Sequence, residues 1–285
     1  MIEMGNEPML LHTTLHIGGP AKVMLMPESE EEFIGAIKEC MQRKVPYRIL
    51  GYGSNILVSD RGVDGYVINN TKACLRLELE EGGVVYAGSS VRLQTFIRFC
   101  VNHDLGGHEY LFSVPGSIGG AVLMNAGLGA QDNKQISDYL LSVRAFDGQQ
   151  TIIVPKQDCE FEHRRSIFQR RRNWVILGAY FKPPLQDKAI GEKKIKERMK
   201  FAKEWQDYNY PTAGSVFRSN SNRHCLWGLI RGLRWGKAAY SMKTPNWINN
   251  LGGATARQVL ILMRVVEILN LLCFKKAVRE IEYWE

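Results

Sequence analysis

The stretch from Val114 to Gly127, V-P-G-S-I-G-G-A-V-L-M-N-A-G, restricts the fold more than any other part of the chain. Gly116, Gly119, Gly120 and Gly127, together with Pro115, are poor material for a regular helix or strand. Glycine has the most backbone entropy to lose, and proline brings no amide hydrogen. Yet Ile118, Ala121, Val122, Leu123 and Met124 are too apolar for a solvated linker. The segment therefore predicts an irregular, backbone-lined pocket, in which a flat or anionic ligand approaches main-chain N–H groups with no side chain in the way. A buried glycine-rich turn with no ligand would meet the same constraint.

A second cluster adds weight to the ligand. Tyr47–Leu50 reads as a short strand running into Gly51-Tyr52-Gly53-Ser54-Asn55-Ile56-Leu57-Val58. The pattern is only part of a dinucleotide fingerprint: Ile56 stands where G-x-G-x-x-G needs its third glycine, and Val58-Ser59-Asp60-Arg61-Gly62 breaks too early for a long phosphate-binding helix. Both departures argue against a Rossmann domain. What is left is a turn offering amides plus Ser54 and Asn55, which suits a pyrophosphate held by loops.

Periodicity fills in the rest. Lys22–Met26 reads as a strand, and Ser29 with Glu32 forms a capping box for a helix over Glu30–Arg43 that aligns Phe33, Ile37 and Cys40. Val45–Leu50 and Gly65–Asn69 follow as strands, making a small β-α-β-β layer. Val84–Gly88 and a helix near Val91–His103 open a second unit. Leu141–Phe146 and Gln150–Pro155 flank Asp147-Gly148 as a hairpin, and Trp174–Phe181 is a further strand. The Lys- and Glu-rich run Gln186–Lys203 predicts a solvated helix beyond a boundary near Leu185. A last helix over Ala254–Leu272 and a strand-like tail, Arg279–Glu285, complete the chain. In a sequence of 285 residues, 45% hydrophobic and 23% charged, this implies two or three globular domains.

Charge and cysteines narrow the function classes. Lys plus Arg exceed Asp plus Glu by 37 − 29 = +8, which favours anionic partners without saying which. Cys40, Cys74, Cys100, Cys159, Cys225 and Cys273 are scattered, with no C-x-x-C pair, and read as reduced thiols of a cytoplasmic protein with no metal site. The N-terminus shows no secretory signal, and the apolar run Val259–Phe274 is interrupted by Arg264, Glu267 and Asn270, so no membrane insertion is expected.

Three places carry reactive groups. Pro211-Thr212-Ala213-Gly214-Ser215-Val216-Phe217 presents a serine without the G-x-S-x-G of a nucleophile elbow. A hydroxyl satisfying a turn is the simplest use of such a residue. In Phe161-Glu162-His163-Arg164-Arg165-Ser166-Ile167-Phe168, an arginine between apolar residues needs a carboxylate partner or a carboxylate ligand. The basic run Arg170-Arg171-Arg172 beside it reads as a solvated turn. Glu280 and Glu282 lie in the tail; strict alternation turns both to solvent, although one could face inward.

Taken in order, H-T-T-L-H-I-G-G-P-A from His12, L-G-Y-G-S-N-I-L-V, the Val114–Gly127 segment, H-R-R-S-I-F, A-G-S-V-F and an N-N-L-G-G-A-T-A helix start resemble the UDP-N-acetylenolpyruvoylglucosamine reductase (MurB) family. The likeness spans residues 12 to 285 and is weakest over Gln186–Asn209. It implies an α+β fold: a two-lobed FAD-binding domain of the vanillyl-alcohol-oxidase type, with lobes at 1–70 and 71–185, and a C-terminal α+β substrate domain at 186–285. It also implies that NADPH reduces bound FAD, that hydride then reaches the enol ether of UDP-N-acetylglucosamine enolpyruvate, and that the adjacent carbon is protonated. No nucleic acid is among the expected partners.

Site roles follow from the same resemblance. Arg164 matches the arginine of the family's Y-R-x-S motif and is the expected cation over the enolate; Ser215 matches the serine of A-G-S-V-F and is the expected proton donor. Glu280 matches a C-terminal glutamate, where a proton shared with the substrate carboxyl would raise its pKa; a different gap placement puts Ala277 there instead. Gly51, Gly53, Ser54 and Asn55 map near the FAD pyrophosphate. Pro115, Gly116, Ser117, Gly119, Gly120, Asn125 and Gly127 map around the isoalloxazine and ribityl. Lys243 and, as its companion, Asn246 map to the substrate phosphates. The chain departs from the family in having His163 for a tyrosine, Lys243-Thr244-Pro245-Asn246 for lysine-histidine-alanine-asparagine, and a shortened loop before Gly232. The interval from Arg164 to Ser215 matches the compact, type II form. Two other classes give different expectations: an alcohol- or sugar-oxidising flavoenzyme of the same fold, reduced by an alcohol, or a non-catalytic binder of UDP-sugars or polyanions, which would be colourless.

Overall fold

The computed structural model describes residues 1–128, 134–218 and 227–285. The first half of the chain runs β1 (Ile2–Pro8), β2 (Pro20–Met26), α1 (Glu30–Gln42), β3 (Tyr47–Leu50), β4 (Ile56–Val58), β5 (Val63–Asn69), β6 (Leu77–Glu80), β7 (Val84–Gly88), α2 (Leu93–Asn102) and α3 (Ile118–Leu123). It continues as β8 (Leu140–Phe146), β9 (Thr151–Pro155), α4 (Ile167–Arg170), β10 (Val175–Phe181), α5 (Lys188–Trp205), β11 (Thr212–Ser215) and α6 (Trp227–Ile230). Last come β12 (Arg234–Trp235), β13 (Ala238–Tyr240), β14 (Trp247–Asn250), α7 (Ala256–Leu272) and β15 (Glu282–Trp284). The strands form sheets of order β1-β2-β5-β3, β6-β7-β10-β8-β9 and β11-β14-β13-β12, and a parallel pair of β15 with β4.

These elements pack as two compact units, each discontinuous in sequence. The first comprises Met1–Glu3, Leu25–Gly51 and Ile68–Lys200; the second comprises Met4–Met24, Tyr52–Val67 and Phe201–Glu285.

In the first unit, α1 forms where its apolar spacing predicts, burying Phe33, Ala36, Ile37 and Cys40. Its start differs from the capping box expected. Ser29 accepts from Glu32 N–H, but the Glu32 carboxylate goes one residue further back, to Glu28 N–H at 2.9 Å, and meets the terminal amine of Met1 at 2.6 Å. The two carboxylate oxygens are thus shared between a cation and an amide, and neither reaches back to Ser29 N–H. The hairpin at Asp147-Gly148 is as read: Asp147 Oδ1 accepts from the amides of Gln149 and Gln150, both at 2.8 Å, and β8 pairs antiparallel with β9. β10 is the central strand and is buried on both faces, which is why it reads as an unbroken apolar run.

The glycine segment corrects the expectation of an irregular chain, because residues Ile118–Leu123 form a short helix, α3. Ser117 caps it, with Oγ accepting from Gly120 N–H at 3.3 Å. Tertiary packing offsets the glycine cost of about 1 kcal/mol per residue: Ile118, Ala121 and Val122 are buried, and a Cβ on Gly119 would lie 2.9 Å from Ser89 Cβ, so only glycine lets the helix sit this close.

The core of the second unit joins Leu15, Ile17 and Leu57 to the sheet residues Ala213, Tyr240 and Ile248 and to Val259, Leu262, Met263 and Val266 of α7. Helix α7 begins at Ala256, two residues later than predicted, where Thr255 and Gln258 complete a capping box. Its first amides are also held by the Asp60 carboxylate, at 2.7 Å from Ala256 N and 3.0 Å from Arg257 N. Among the described residues, no helix is long and apolar enough to cross a membrane. Cys40, Cys74, Cys100 and Cys159 are free and buried, and burial pushes their thiols up to about 11 for the first and about 12 for the other three. Cys273 is exposed, and Cys225 lies outside the described residues.

Candidate active site

In the second unit the chain's tail does the assembling. Glu280 N–H donates to Val216 O at 2.9 Å, immediately after Ser215. The Glu280 carbonyl accepts from Asn55 Nδ2 at 3.1 Å, and Glu282 N–H donates to Asn55 O at 3.0 Å. β15 then runs parallel beside β4, with Glu282 opposite Ile56. The tail thus lies between the A-G-S-V-F segment and the Gly53-Ser54-Asn55 turn, and Ser215, Glu280 and Asn55 become neighbours from three distant parts of the sequence. Glu280 and Ser215 are half-buried, whereas Glu282 is exposed. Gly214, just before the serine, has φ +75° and open space where a side chain would be, with nothing within 4 Å.

Asn246 locks the same segment from the other side. Its Oδ1 accepts from Phe217 N–H at 3.1 Å, its Nδ2 donates to Phe217 O at 2.7 Å, and its carbonyl accepts from Val216 N–H at 2.9 Å. Its amide is committed to the backbone that presents Ser215. Lys243 is placed differently: its Nζ donates to Lys203 O at 2.6 Å, near the end of α5, and Thr244 Oγ1 donates to Trp205 O at 3.0 Å. Beneath this loop lies a buried network that sequence reasoning missed. Asp207 Oδ2 accepts from Ser241 Oγ and from Asn249 Nδ2, both at 2.7 Å, and Ser241 Oγ accepts from the amides of Lys243 and Thr244 at 3.0 and 2.9 Å. Burial pushes the Asp207 carboxyl up, but the hydrogen bonds from Ser241, Asn249 and Asn209 outweigh it and hold the group below the usual carboxylate value. The only local signal was the Asp207-x-Asn209 turn.

The first unit brings the glycine segment and the H-R-R-S motif together. Glu162 and Arg165 bond each other's backbone, leaving His163 and Arg164 at the tip of a tight turn, with Arg164 at φ +58°. Arg164 Nη2 donates to Gly127 O at 2.7 Å, Asn125 Nδ2 donates to Glu162 O at 2.9 Å, and Ser166 Oγ donates to Leu123 O at 2.7 Å. Arg165 is exposed and pairs with Glu162 instead. Arg170 pairs with Glu160 and Arg171 stacks on Trp174, so that part of the basic run serves the surface.

The glycines divide by what occupies the space of the missing side chain. A Cβ on Gly53 would sit 2.0 Å from His12 O, and one on Gly127 would sit 2.1 Å from Lys134 O; these positions are required by the protein's own backbone, as Gly119 is by Ser89. Gly51 and Gly120 are open, with nothing nearer than Ser117 Oγ at 3.4 and 3.8 Å. The amides at the start of α3 are also spent internally, Ile118 N–H on Val91 O and Gly119 N–H on Ser89 O. In the same unit, Asn125 Oδ1 and the Tyr110 hydroxyl are buried and lack hydrogen-bond partners among the described residues. An orphaned acceptor and an orphaned hydroxyl, in the unit that also holds the open backbone of Gly51 and Gly120, fit a flat heteroaromatic ligand that carries both N–H donors and carbonyls.

Comparison with known proteins agrees with this chemistry. Residues 21–154 match the family model of an FAD binding domain, and residues 206–268 match that of the UDP-N-acetylenolpyruvoylglucosamine reductase C-terminal domain. The chain is 35% identical over 269 residues to the UDP-N-acetylenolpyruvoylglucosamine reductase of Carboxydothermus hydrogenoformans, covering 93% of this chain and 87% of that protein. It is also 35% identical over 268 residues to the reductase of Pseudothermotoga lettingae, covering 92% and 90%. The crystal structure of UDP-N-acetylenolpyruvylglucosamine reductase (MurB) from Thermus caldophilus superposes with a TM-score of 0.82 at 28% identity, covering 100% of this chain and 98% of that one.

Proposed function

The chain belongs to the UDP-N-acetylenolpyruvoylglucosamine reductase family, and on that premise we propose how its residues divide the work. The fold is α+β, an FAD-binding domain of the vanillyl-alcohol-oxidase type joined to a C-terminal substrate domain. The activity is NADPH-dependent reduction of UDP-N-acetylglucosamine enolpyruvate to UDP-N-acetylmuramate in peptidoglycan precursor synthesis. When bound, FAD supplies the hydride chemistry between NADPH and the enol ether.

Hydride arriving at the terminal carbon leaves negative charge on an enolate conjugated to the substrate carboxylate. Arg164 supplies the fixed cation for that charge, its guanidinium steadied by Gly127 O. Ser215 donates the proton to the adjacent carbon; a hydroxyl is a weak acid, so it acts as a positioned relay replenished by its surroundings. Glu280 binds the carboxyl end of the substrate. Asn125 with Gly51 and Gly120 offers the acceptor and the open backbone for the cofactor; Gly53, Ser54 and Asn55, with Pro115, Gly116, Ser117, Gly119 and Gly127, complete its cradle. Lys243 meets the substrate phosphates after giving up Lys203 O, and Asn246 serves by fixing the strand of Ser215.

The observation that carries this reading is the path of the tail, because Glu280 joins the Ser215 segment to the Asn55 turn through its own backbone. The three-lobe division at 1–70, 71–185 and 186–285 belongs to the same reading; the separate spans of the two family models, 21–154 and 206–268, support its split between an N-terminal and a C-terminal part. So does a cytoplasmic location, which suits four buried, unpaired thiols. No nucleic-acid partner is assigned.

Ser215→Ala tests the proposal: reduction of the flavin by NADPH stays nearly intact, while substrate-dependent re-oxidation slows by about 10²-fold or more. Arg164→Lys harms the same half-reaction, since an ammonium lacks the planar fork. Equal losses in both half-reactions would make the two residues structural.

A further inference from the structure

Helix α7 has an outward face that the reductase reading leaves unused. Val265, Ile268, Leu271 and Leu272 are 36%, 47%, 60% and 72% exposed, and Phe274, just beyond the helix, is 100% exposed. Ile268 and Leu272 follow Val265 at helical i+3 and i+7, so these residues form one stripe opposite the core residues Val259, Leu262, Met263 and Val266. Phe274 adopts φ +56° at the helix exit, a conformation that favours glycine, and nothing in the core is gained by placing an aromatic ring there. A contiguous exposed apolar stripe of this kind marks a contact surface.

Charge identifies the partner. Between Ala256 and Arg279 the basic residues are Arg257, Arg264, Lys275, Lys276 and Arg279, and the one acid is Glu267, giving 5 − 1 = +4. Glu267 is itself held by Arg264 at 3.3 Å and Arg279 at 2.6 Å. Arg257, Arg264, Lys275 and Lys276 are exposed. We propose that this face docks peripherally on an anionic lipid surface, with the apolar side chains entering the interfacial layer and the flanking bases meeting the headgroups. A second copy fits less well, because a two-fold contact would set the same basic rim against itself. The helix lies on the surface and does not span it: 17 residues interrupted by Arg257, Arg264 and Glu267 are too short and too charged.

The test is flotation of the full-length holoenzyme with vesicles of equal parts phosphatidylglycerol and phosphatidylcholine, against phosphatidylcholine alone. Binding is expected to the anionic vesicles only, and to weaken with salt. The double change Leu272→Asp with Phe274→Asp, and separately Lys275→Glu with Lys276→Glu, should each lower partitioning by about tenfold or more. NADPH consumption with substrate should be unchanged in both, which separates this inference from the catalytic reading. Failure of the parent protein to float with anionic vesicles would overturn it, as would binding untouched by either double variant. A dimer in light scattering that Leu272→Asp with Phe274→Asp dissolves would assign the face to a second copy instead.

Discussion

Asn246 offers a test in which one side chain controls the position of a catalytic strand. Its amide satisfies both backbone groups of Phe217, at 3.1 and 2.7 Å, two residues beyond Ser215, and both residues are buried. Asn246→Ala would leave the Phe217 N–H and C=O without partners, and a buried unsatisfied group costs about 1–3 kcal/mol, so a loss of about 2–5 kcal/mol is expected. Asn246→Asp keeps the acceptor for Phe217 N–H but sets a carboxylate oxygen against the Phe217 carbonyl. It can restore the second bond only by taking up a proton. Its folded-state pKa would then lie above the unfolded value, so the deficit should be small below the ordinary carboxylate pKa and grow as pH rises through the folded value. Urea unfolding followed by tryptophan fluorescence, at acidic and mildly alkaline pH, reads both effects. A parental midpoint for Asn246→Ala, or a pH-independent deficit for Asn246→Asp, would refute the reasoning.

Three further perturbations draw on other parts of the fold. Gly53→Ala would drive a Cβ to 2.0 Å from His12 O at φ +62° and should abolish flavin retention; Gly35→Ala, inside α1 with nothing within 4 Å, should stabilise by about 0.5–1 kcal/mol, and equal melting temperatures for the two would contradict the packing argument. Asp60→Ala removes the carboxylate from the first amides of α7 and should lower unfolding free energy by about 1–2 kcal/mol, whereas an unchanged urea midpoint would show the capping box to be sufficient alone. His108 is enclosed by Phe96, Tyr139 and Phe181, and burial lowers its pKa from 6.5 to about 4. The unfolded chain therefore takes up the proton first, and stability falls as pH drops from 6.5 towards 4; His108→Phe should flatten that slope in urea midpoints, and an unaltered slope would exclude the mechanism.

What could be read from the sequence was what neighbouring residues decide. The apolar spacing of Phe33, Ile37 and Cys40 defines α1 because one face must be buried, and Asp147-Gly148 defines its hairpin through its own side-chain acceptor and a glycine at φ +102°. The order of the motifs was enough to identify the family. What could not be read depends on partners far along the chain. The helix in the glycine segment exists because Ser89 O and Val91 O receive its first amides. Helical propensity alone argues against it. Likewise, β4 is a strand because residues 282–284 pair with it, and Asp207 matters because Ser241 and Asn249 are folded against it. The glycines show the difference most clearly: sequence marks all of them as bare backbone, but only the fold separates Gly53, Gly119 and Gly127, whose side-chain space is filled by the protein's own atoms, from Gly51 and Gly120, which stay open.

The reaction proposed for this chain passes reducing equivalents from NADPH to an enolpyruvyl UDP-sugar through a flavin. Anaerobic addition of NADPH to the purified yellow protein, followed by UDP-N-acetylglucosamine enolpyruvate, tests it directly. The flavin band should bleach on the first addition and return on the second. A band that NADPH leaves untouched, or that stays bleached in excess substrate, would contradict the proposed reaction.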